Sequence, residues 1–457
     1  MNAQQVWRKI TWTWAPRSVV EAGDAVVRNL WLHWFPAKVS KRSLSFSYSL
    51  WLGTVSAVLF FILCVTGFIL MFHYIPYPAV AYWSIKDLEF VIPYGRFLRN
   101  VHRIAAHLMV AVVFLHMARV FYTGAYKNGI SPQAVRQNNW LVGIVLLLLT
   151  LFLSFTGYLL PWDQLAYWAI TVGTNIAKAA PLVGEKLRFI LLGGNEIGRN
   201  TLLRFYVLHC IVLPVGVLLL FAYHMWRIRK DGGMACVEQE WLHEAKRTRT
   251  FTEEVLPANS PVIEAPSANG DGRLTKTYSL LGIRKGLTVA VVESSLGEGN
   301  RVDSSPHLTR RILLVTLVTV AVVTLLAVFT RAPLEEIANP TTPPNPAKAP
   351  WYFLWLQELV TITTIHIGEF TVNGALLGGI LIPTMLLVVL ALWPYWDKSE
   401  PAATGMWLPK SRWRQNLVFT VIALGIILLI IIGTYFRGPF WNFYWPWEKM
   451  PVTPPYF

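Results

Sequence analysis

Apolar and polar positions fall along this chain in long blocks. Seven apolar runs, about 50 to 72, 98 to 122, 140 to 160, 203 to 226, 311 to 329, 374 to 396 and 414 to 436, are each long enough to cross a bilayer as a helix. A helix satisfies its own backbone polar groups in hydrocarbon, so the pattern predicts an all-α integral membrane fold with seven transmembrane helices. A polar stretch over 231 to 309 parts the first four runs from the last three. The organisation expected is an N-terminal lead-in over 1 to 49, a four-helix domain over 50 to 230, a loop over 231 to 309, a three-helix domain over 310 to 437 and an aromatic tail over 438 to 457. Trp7, Trp12, Trp14, Trp31 and Trp34 make the lead-in suited to a surface helix at the membrane interface.

Composition agrees with the membrane class: 54% of residues are hydrophobic, 14% are charged and 21 are Trp. Lys and Arg concentrate on the side of the membrane that holds the N-terminus, which predicts a cytoplasmic N-terminus, an external C-terminus and a bacterial-type inner membrane. The net charge of +15 then reads as topology and anionic-lipid contact, with no nucleic acid required. No apolar h-region of a cleavable signal peptide stands in the first forty residues. Cys64, Cys210 and Cys236 form neither a CxxCH haem-attachment motif nor a disulfide framework.

The chemistry lies in two matched runs. His102 and His116 are fourteen residues apart on the second, and His209 and His224 fifteen apart on the fourth. Four helical turns take about 14.4 residues, so each pair falls near one helix face, about 21 Å apart along the axis. A lone intramembrane histidine reads equally well as a hydrogen-bonded bundle residue. Two matched pairs point to two stacked bis-histidine irons. Gly53 and Gly67 on the first run, and Gly143 and Gly157 on the third, repeat the fourteen-residue interval. Missing side chains at two depths suit a flat macrocycle pressed against backbone. Arg99 and Arg119 stand three residues outside His102 and His116, where a guanidinium fork suits a propionate. His107 points about 140° away from His102 and reads as a bundle residue.

The connections differ in kind. Residues 161 to 200 are too polar to span and too apolar for a plain linker, which predicts short surface helices. In the long loop, 258 to 275 reads as disordered and 276 to 293 as a small β element. A proline-dense segment from Pro333 to Pro350 leads into Trp351-Tyr352-Phe353, with Glu358 one turn further on.

Arg99-Asn100-Val101-His102-Arg103, Leu115-His116-Met117-Ala118-Arg119, Thr156-Gly157-Tyr158-Leu159-Leu160-Pro161-Trp162-Asp163-Gln164, Arg204-Phe205-Tyr206-Val207-Leu208-His209 and Ile228-Arg229-Lys230 together resemble the cytochrome b family of Rieske/cytochrome b complexes. The plastid and cyanobacterial branch is the nearer, and its separate three-helix partner would here be joined in one chain. The match is specific over 45 to 232 and looser over 308 to 436. It implies His102 and His209 as ligands of a low-potential b-haem near the external face, and His116 and His224 as ligands of a high-potential one near the cytoplasm. Gly53, Gly67, Arg99, Arg119, Gly143, Gly157 and Arg204 would border the haems. Quinol would be oxidised externally between Tyr158, Trp162 and Asp163 on one side and Pro350, Trp351, Tyr352 and Glu358 on the other. Electrons would cross through the two haems to a quinone near Arg229, Lys230 and Asp231, coupled to proton translocation. A Rieske iron-sulfur protein, a c-type cytochrome and a homodimeric complex are the implied partners.

Two departures accompany the resemblance. The family's Pro-Glu-Trp-Tyr is here Ala349-Pro350-Trp351-Tyr352, which leaves Glu358 or Asp163 to replace the glutamate. Trp51 stands where the plastid branch attaches a covalent c-type haem, so none is expected there. The alternative reading is a dihaem anchor joining a dehydrogenase or hydrogenase to the quinone pool without bifurcation. It has no use for the paired external segments. A haem-free transporter leaves the repeated His and Gly intervals unexplained.

Overall fold

The computed structural model describes residues 35 to 36, 38 to 128, 135 to 231, 233 to 235, 301 to 401 and 404 to 449. The predicted helices in the lead-in and the disordered and β segments of the long loop lie outside these residues. Eleven helices organise the described chain: α1 Leu52–Met71, α2 Pro78–Phe90, α3 Gly95–Tyr122, α4 Arg136–Tyr158, α5 Gln164–Lys178, α6 Gly184–Leu192, α7 Arg199–Lys230, α8 Thr309–Phe329, α9 Trp351–Thr363, α10 Gly374–Trp396 and α11 Lys410–Phe436. Seven of them, α1, α3, α4, α7, α8, α10 and α11, are long and apolar enough to cross a membrane. The all-α membrane fold expected from the hydrophobic blocks is therefore the fold observed. Large apolar side chains such as Phe68, Leu219, Leu317 and Val421 remain exposed on the outward faces, as lipid solvent allows.

Helix α1 packs on α3 and α4 on α7, with α3 against α4 closing the four-helix core. Helix α8 lies in the angle of α1 and α3, and α10 packs along α4. Buried Leu59, Val101, Ala105, Met109, Val217 and Val323 form the middle of the core. At one end a second cluster, including Leu88, Leu159, Trp162, Ile170 and Phe205, joins α2, α4, α5 and α7.

Hydrogen bonds lace the two halves together at both ends. At the first end Asp163 caps α5 by accepting from the Ala166 amide at 2.9 Å, and its other oxygen accepts from the Glu335 amide at 3.2 Å. The Gln164 amide donates to the Glu336 carbonyl at 2.9 Å, and Tyr82 donates to the Glu335 carbonyl at 3.0 Å. At the opposite end, short strands Lys38–Ser40 and Arg301–Asp303 pair antiparallel. There Tyr48 also donates to the Gly405 carbonyl at 2.9 Å, and the Trp140 indole to the Leu390 carbonyl at 2.8 Å. Arg412 and Asp397, whose side chains are both fully buried, pair at 3.2 Å beside Tyr126.

Helix α7 is not uniform. Its turn Leu208–Val212 widens to π geometry around His209. Pro214 lacks the amide hydrogen that would bond the carbonyl four residues back, which leaves the turn free to open. A π turn accommodates one extra residue. It thus absorbs the difference between the fifteen-residue His interval here and the fourteen-residue interval on α3.

A two-level histidine stack and a neighbouring polar cluster

Each of the four paired histidines lies against a glycine of the neighbouring helix. A Cβ built on Gly67 would stand 3.2 Å from the His102 ring, and one on Gly157 only 2.5 Å from the His209 ring. At the second level Gly53 meets His116 at 3.2 Å and Gly143 meets His224 at 3.9 Å. The equal Gly and His intervals thus correspond to two layers of the same bundle, and close approach is what the missing Cβ permits.

The first layer also fixes its protonation pattern. The Thr66 hydroxyl donates to the Ile62 carbonyl at 2.7 Å, so at 2.8 Å from His102 Nδ1 its oxygen acts as acceptor. Thr156 repeats this, donating to the Phe152 carbonyl at 2.9 Å and lying 3.2 Å from His209 Nδ1, which also faces the Leu153 carbonyl at 3.1 Å. A carbonyl only accepts, so His209 carries its proton on Nδ1 and leaves Nε2 bare, and the Thr66 hydroxyl, bonded to the Ile62 carbonyl, gives His102 the same tautomer. That is the arrangement a metal-ligating histidine adopts. The His102 and His209 ring centroids are 6.2 Å apart. This separation holds two metal–nitrogen bonds of about 2 Å each plus the depth of both rings. The residues therefore fit an iron macrocycle between them. Thr66 and Thr156 were not among the predicted site residues, although each directly precedes its glycine in a repeated Thr-Gly pair.

The arginines divide. Arg119 is buried and stacks 4.8 Å over the Tyr48 ring, one turn from His116. Arg99 pairs with buried Glu89 and donates to the carbonyls of Ala332 at 3.0 Å and Pro333 at 2.6 Å. Arg204 is exposed and donates to the Ile190 carbonyl, five residues from His209 and on a different helix face.

At the same end as His102 and His209, Arg103 lies within electrostatic reach of Tyr158, Asp163 and Tyr352, which belong to the two segments singled out in the sequence. Phe155 meets Phe353 edge-on at 6.0 Å, and Trp162, in left-handed backbone at φ 56°, packs against Tyr167. Pro350 caps α9, and Trp351 donates from its indole to His107 at 3.0 Å. Burial pushes the Asp163 carboxyl up from its ordinary value, against the two amides that bond it. Glu358 is held by Arg437 through two bonds of 2.5 and 2.9 Å. At the other end Asp231 pairs with Arg227 at 3.0 Å and receives the Val135 amide at 3.2 Å. Lys230 lies 4.9 Å over the Trp226 ring.

Comparison with known proteins agrees with this geometry. Residues 37–232 match the family described as Cytochrome b/b6/petB. Cytochrome b6 of Heliomicrobium gestii is 40% identical over 181 residues, which cover 40% of this chain and 82% of that protein. Cytochrome b6 of Porphyra purpurea is 39% identical over 181 residues, 40% of this chain and 81% of its own length. A chain of a hyperthermophilic respiratory Complex III has the same fold with a TM-score of 0.63 at 23% identity, covering 94% of this chain and 90% of that one. Matched in family, in sequence and in overall fold, and carrying the glycine-backed histidine pairs, this chain belongs to the cytochrome b family.

Proposed function

We propose that the chain is the cytochrome b subunit of a quinol-oxidising complex with two b-type haems. It oxidises quinol at the Arg103–Tyr158–Asp163–Tyr352 end and serves a quinone near Arg229 and Lys230 at the other. The observation that carries this reading is the two-level stack: glycine-backed histidines at both depths, with bare Nε2 atoms in the first layer. His102 and His209 hold one haem and His116 and His224 the other. The haems, when bound, supply one-electron redox centres at two depths of a low-dielectric bundle. Gly67, Gly157, Gly53 and Gly143 leave room for flat rings, and Thr66 and Thr156 orient the ligands of the first layer.

The excess of Lys and Arg on the N-terminal side supports an external position for the Asp163 end. Protons released from quinol there and taken up by quinone at the cytoplasmic end would amount to proton translocation. A Rieske iron-sulfur protein and a c-type cytochrome are the proposed electron acceptors, in a homodimeric complex. The test is quinol-dependent reduction of a c-type cytochrome by the purified complex. Reduction that stops when the Rieske protein is removed is expected. Haem reduction by quinol with no transfer to the cytochrome would favour the dihaem-anchor reading.

The glycines give a sharper check. Gly157→Ala places a methyl 2.5 Å from the His209 ring, whereas Gly143→Ala meets His224 at an ordinary 3.9 Å. Gly157→Ala is expected to lower haem content by about half with Gly143→Ala near wild type, a contrast that pyridine haemochrome assay reads directly. Equal content in both variants would separate the glycines from the haem sites.

A further inference from the structure

We propose that His107 is a hydrogen-bond donor to a quinone headgroup, its ring held for that role by the indole of Trp351. The inference rests on the quinol-oxidising reading and names a recognition residue for it. His107 lies on α3, four residues beyond Arg103 and seven beyond Asn100, so the three share one helix face. With Ile104 and the segment Thr330 to Ala332 they line a cavity of about 250 Å³.

The polar groups in that wall are not equivalent. The Asn100 side chain is fully used: its amide donates to the carbonyls of Ala327 at 3.1 Å and Thr330 at 2.8 Å, and its oxygen accepts from the Ala332 amide at 2.9 Å. Arg331 is mostly exposed and lies 3.7 Å from Glu89. His107 and Arg103 remain. An indole N–H only donates, so Trp351 at 3.0 Å from Nδ1 requires that nitrogen to be without a proton. The neutral ring then carries its proton on Nε2. This tautomer is the reverse of that of His102 and His209. It leaves His107 with a donor, no free acceptor and no bare nitrogen for iron.

With the Thr330 hydroxyl donating to the Leu326 carbonyl at 2.7 Å, the donors left to the wall are Arg103 and His107 Nε2–H, and no carboxylate contributes to it. Arg103 also lies within electrostatic reach of Tyr158, Asp163 and Tyr352, and the Tyr352 ring lies 5.8 Å from the His107 ring. A flat ligand that presents a carbonyl oxygen and an aromatic face satisfies this arrangement, and a 1,4-quinone has both. Trp351, immediately after Pro350, acts as a positioning residue through His107.

The test measures binding of decyl-1,4-benzoquinone to the oxidised complex by calorimetry, alongside the KM for decylbenzoquinol. His107→Phe, which keeps a ring and loses the N–H, is expected to weaken binding and raise KM about 10-fold, the loss of one hydrogen bond. His107→Gln, which retains an amide donor, is expected to stay within about 3-fold of wild type. Trp351→Phe, which releases the tautomer, should fall between them. Unchanged affinity and KM in His107→Phe would overturn the inference while leaving quinol oxidation standing, as would equal losses in the Phe and Gln variants. A wild-type complex that oxidises no quinol would overturn the underlying reading itself.

Discussion

His209→Ala is expected to remove one b-haem and leave the other in place. His209 is paired across the bundle with His102 alone, at 6.2 Å between ring centroids, while His116 and His224 sit against Gly53 and Gly143 at the other level. Loss of His209 leaves His102 without its partner ring at that level. A reduced-minus-oxidised spectrum should lose about half its b-type amplitude, with the remaining transition at its wild-type potential. Thr156→Val, which leaves His209 Nδ1 only the Leu153 carbonyl, is expected to weaken haem retention at that level by about 10-fold. Equal loss of both haems from a correctly assembled His209→Ala complex would contradict the pairing.

The second large effect lies far from the haems. Arg412→Ala is expected to destabilise the chain by about 3–5 kcal/mol, because it strands a buried carboxylate. The Asp397 and Arg412 side chains have no exposed area, and Arg412 also donates to the Phe121 carbonyl at 3.0 Å and to Tyr126 at 2.5 Å. Its guanidinium therefore joins the end of α3 to the α10–α11 connection. Burial pushes the Asp397 carboxyl up, but bonds from Ser399 and Tyr126 and the charge of Arg412 outweigh it and hold the group at about 2. A carboxylate depressed in the folded state stabilises above its unfolded value of 3.8, and that contribution is lost as pH falls toward about 2. Thermal unfolding of the solubilised protein between pH 5 and 2 measures it. Wild type should lose stability through this window, and Arg412→Ala, already destabilised, should lose less. A variant as stable as wild type at neutral pH would show that the ion pair contributes nothing.

The sequence disclosed what repeats. Helices long enough to span, and histidines and glycines at matching intervals, are periodic signals that survive without any partner being known. Thr66 and Thr156 were equally legible, each preceding a predicted glycine, and went unread because a threonine in a membrane helix more often bonds its own backbone, as both also do. What spacing does not show is the partner that each charge takes. Arg99 found Glu89 and the carbonyls of Ala332 and Pro333, more than two hundred residues downstream. Glu358 found Arg437, and only the packing of α9 on α11 brings those two together. Buried charges take the best partner that topology offers, which local spacing does not reveal. Asp231 was the exception, since Arg227 stands four residues before it on the same helix face. The Trp351–His107 hydrogen bond is hidden for the same reason, because the two residues lie on different helices.

The most direct test of the central claim is a redox titration of the purified complex, with haem and chain quantified on the same sample. Two haems per chain, titrating as two b-type transitions of different potential, is the predicted result. A single haem per chain, or none, would contradict the two-level stack.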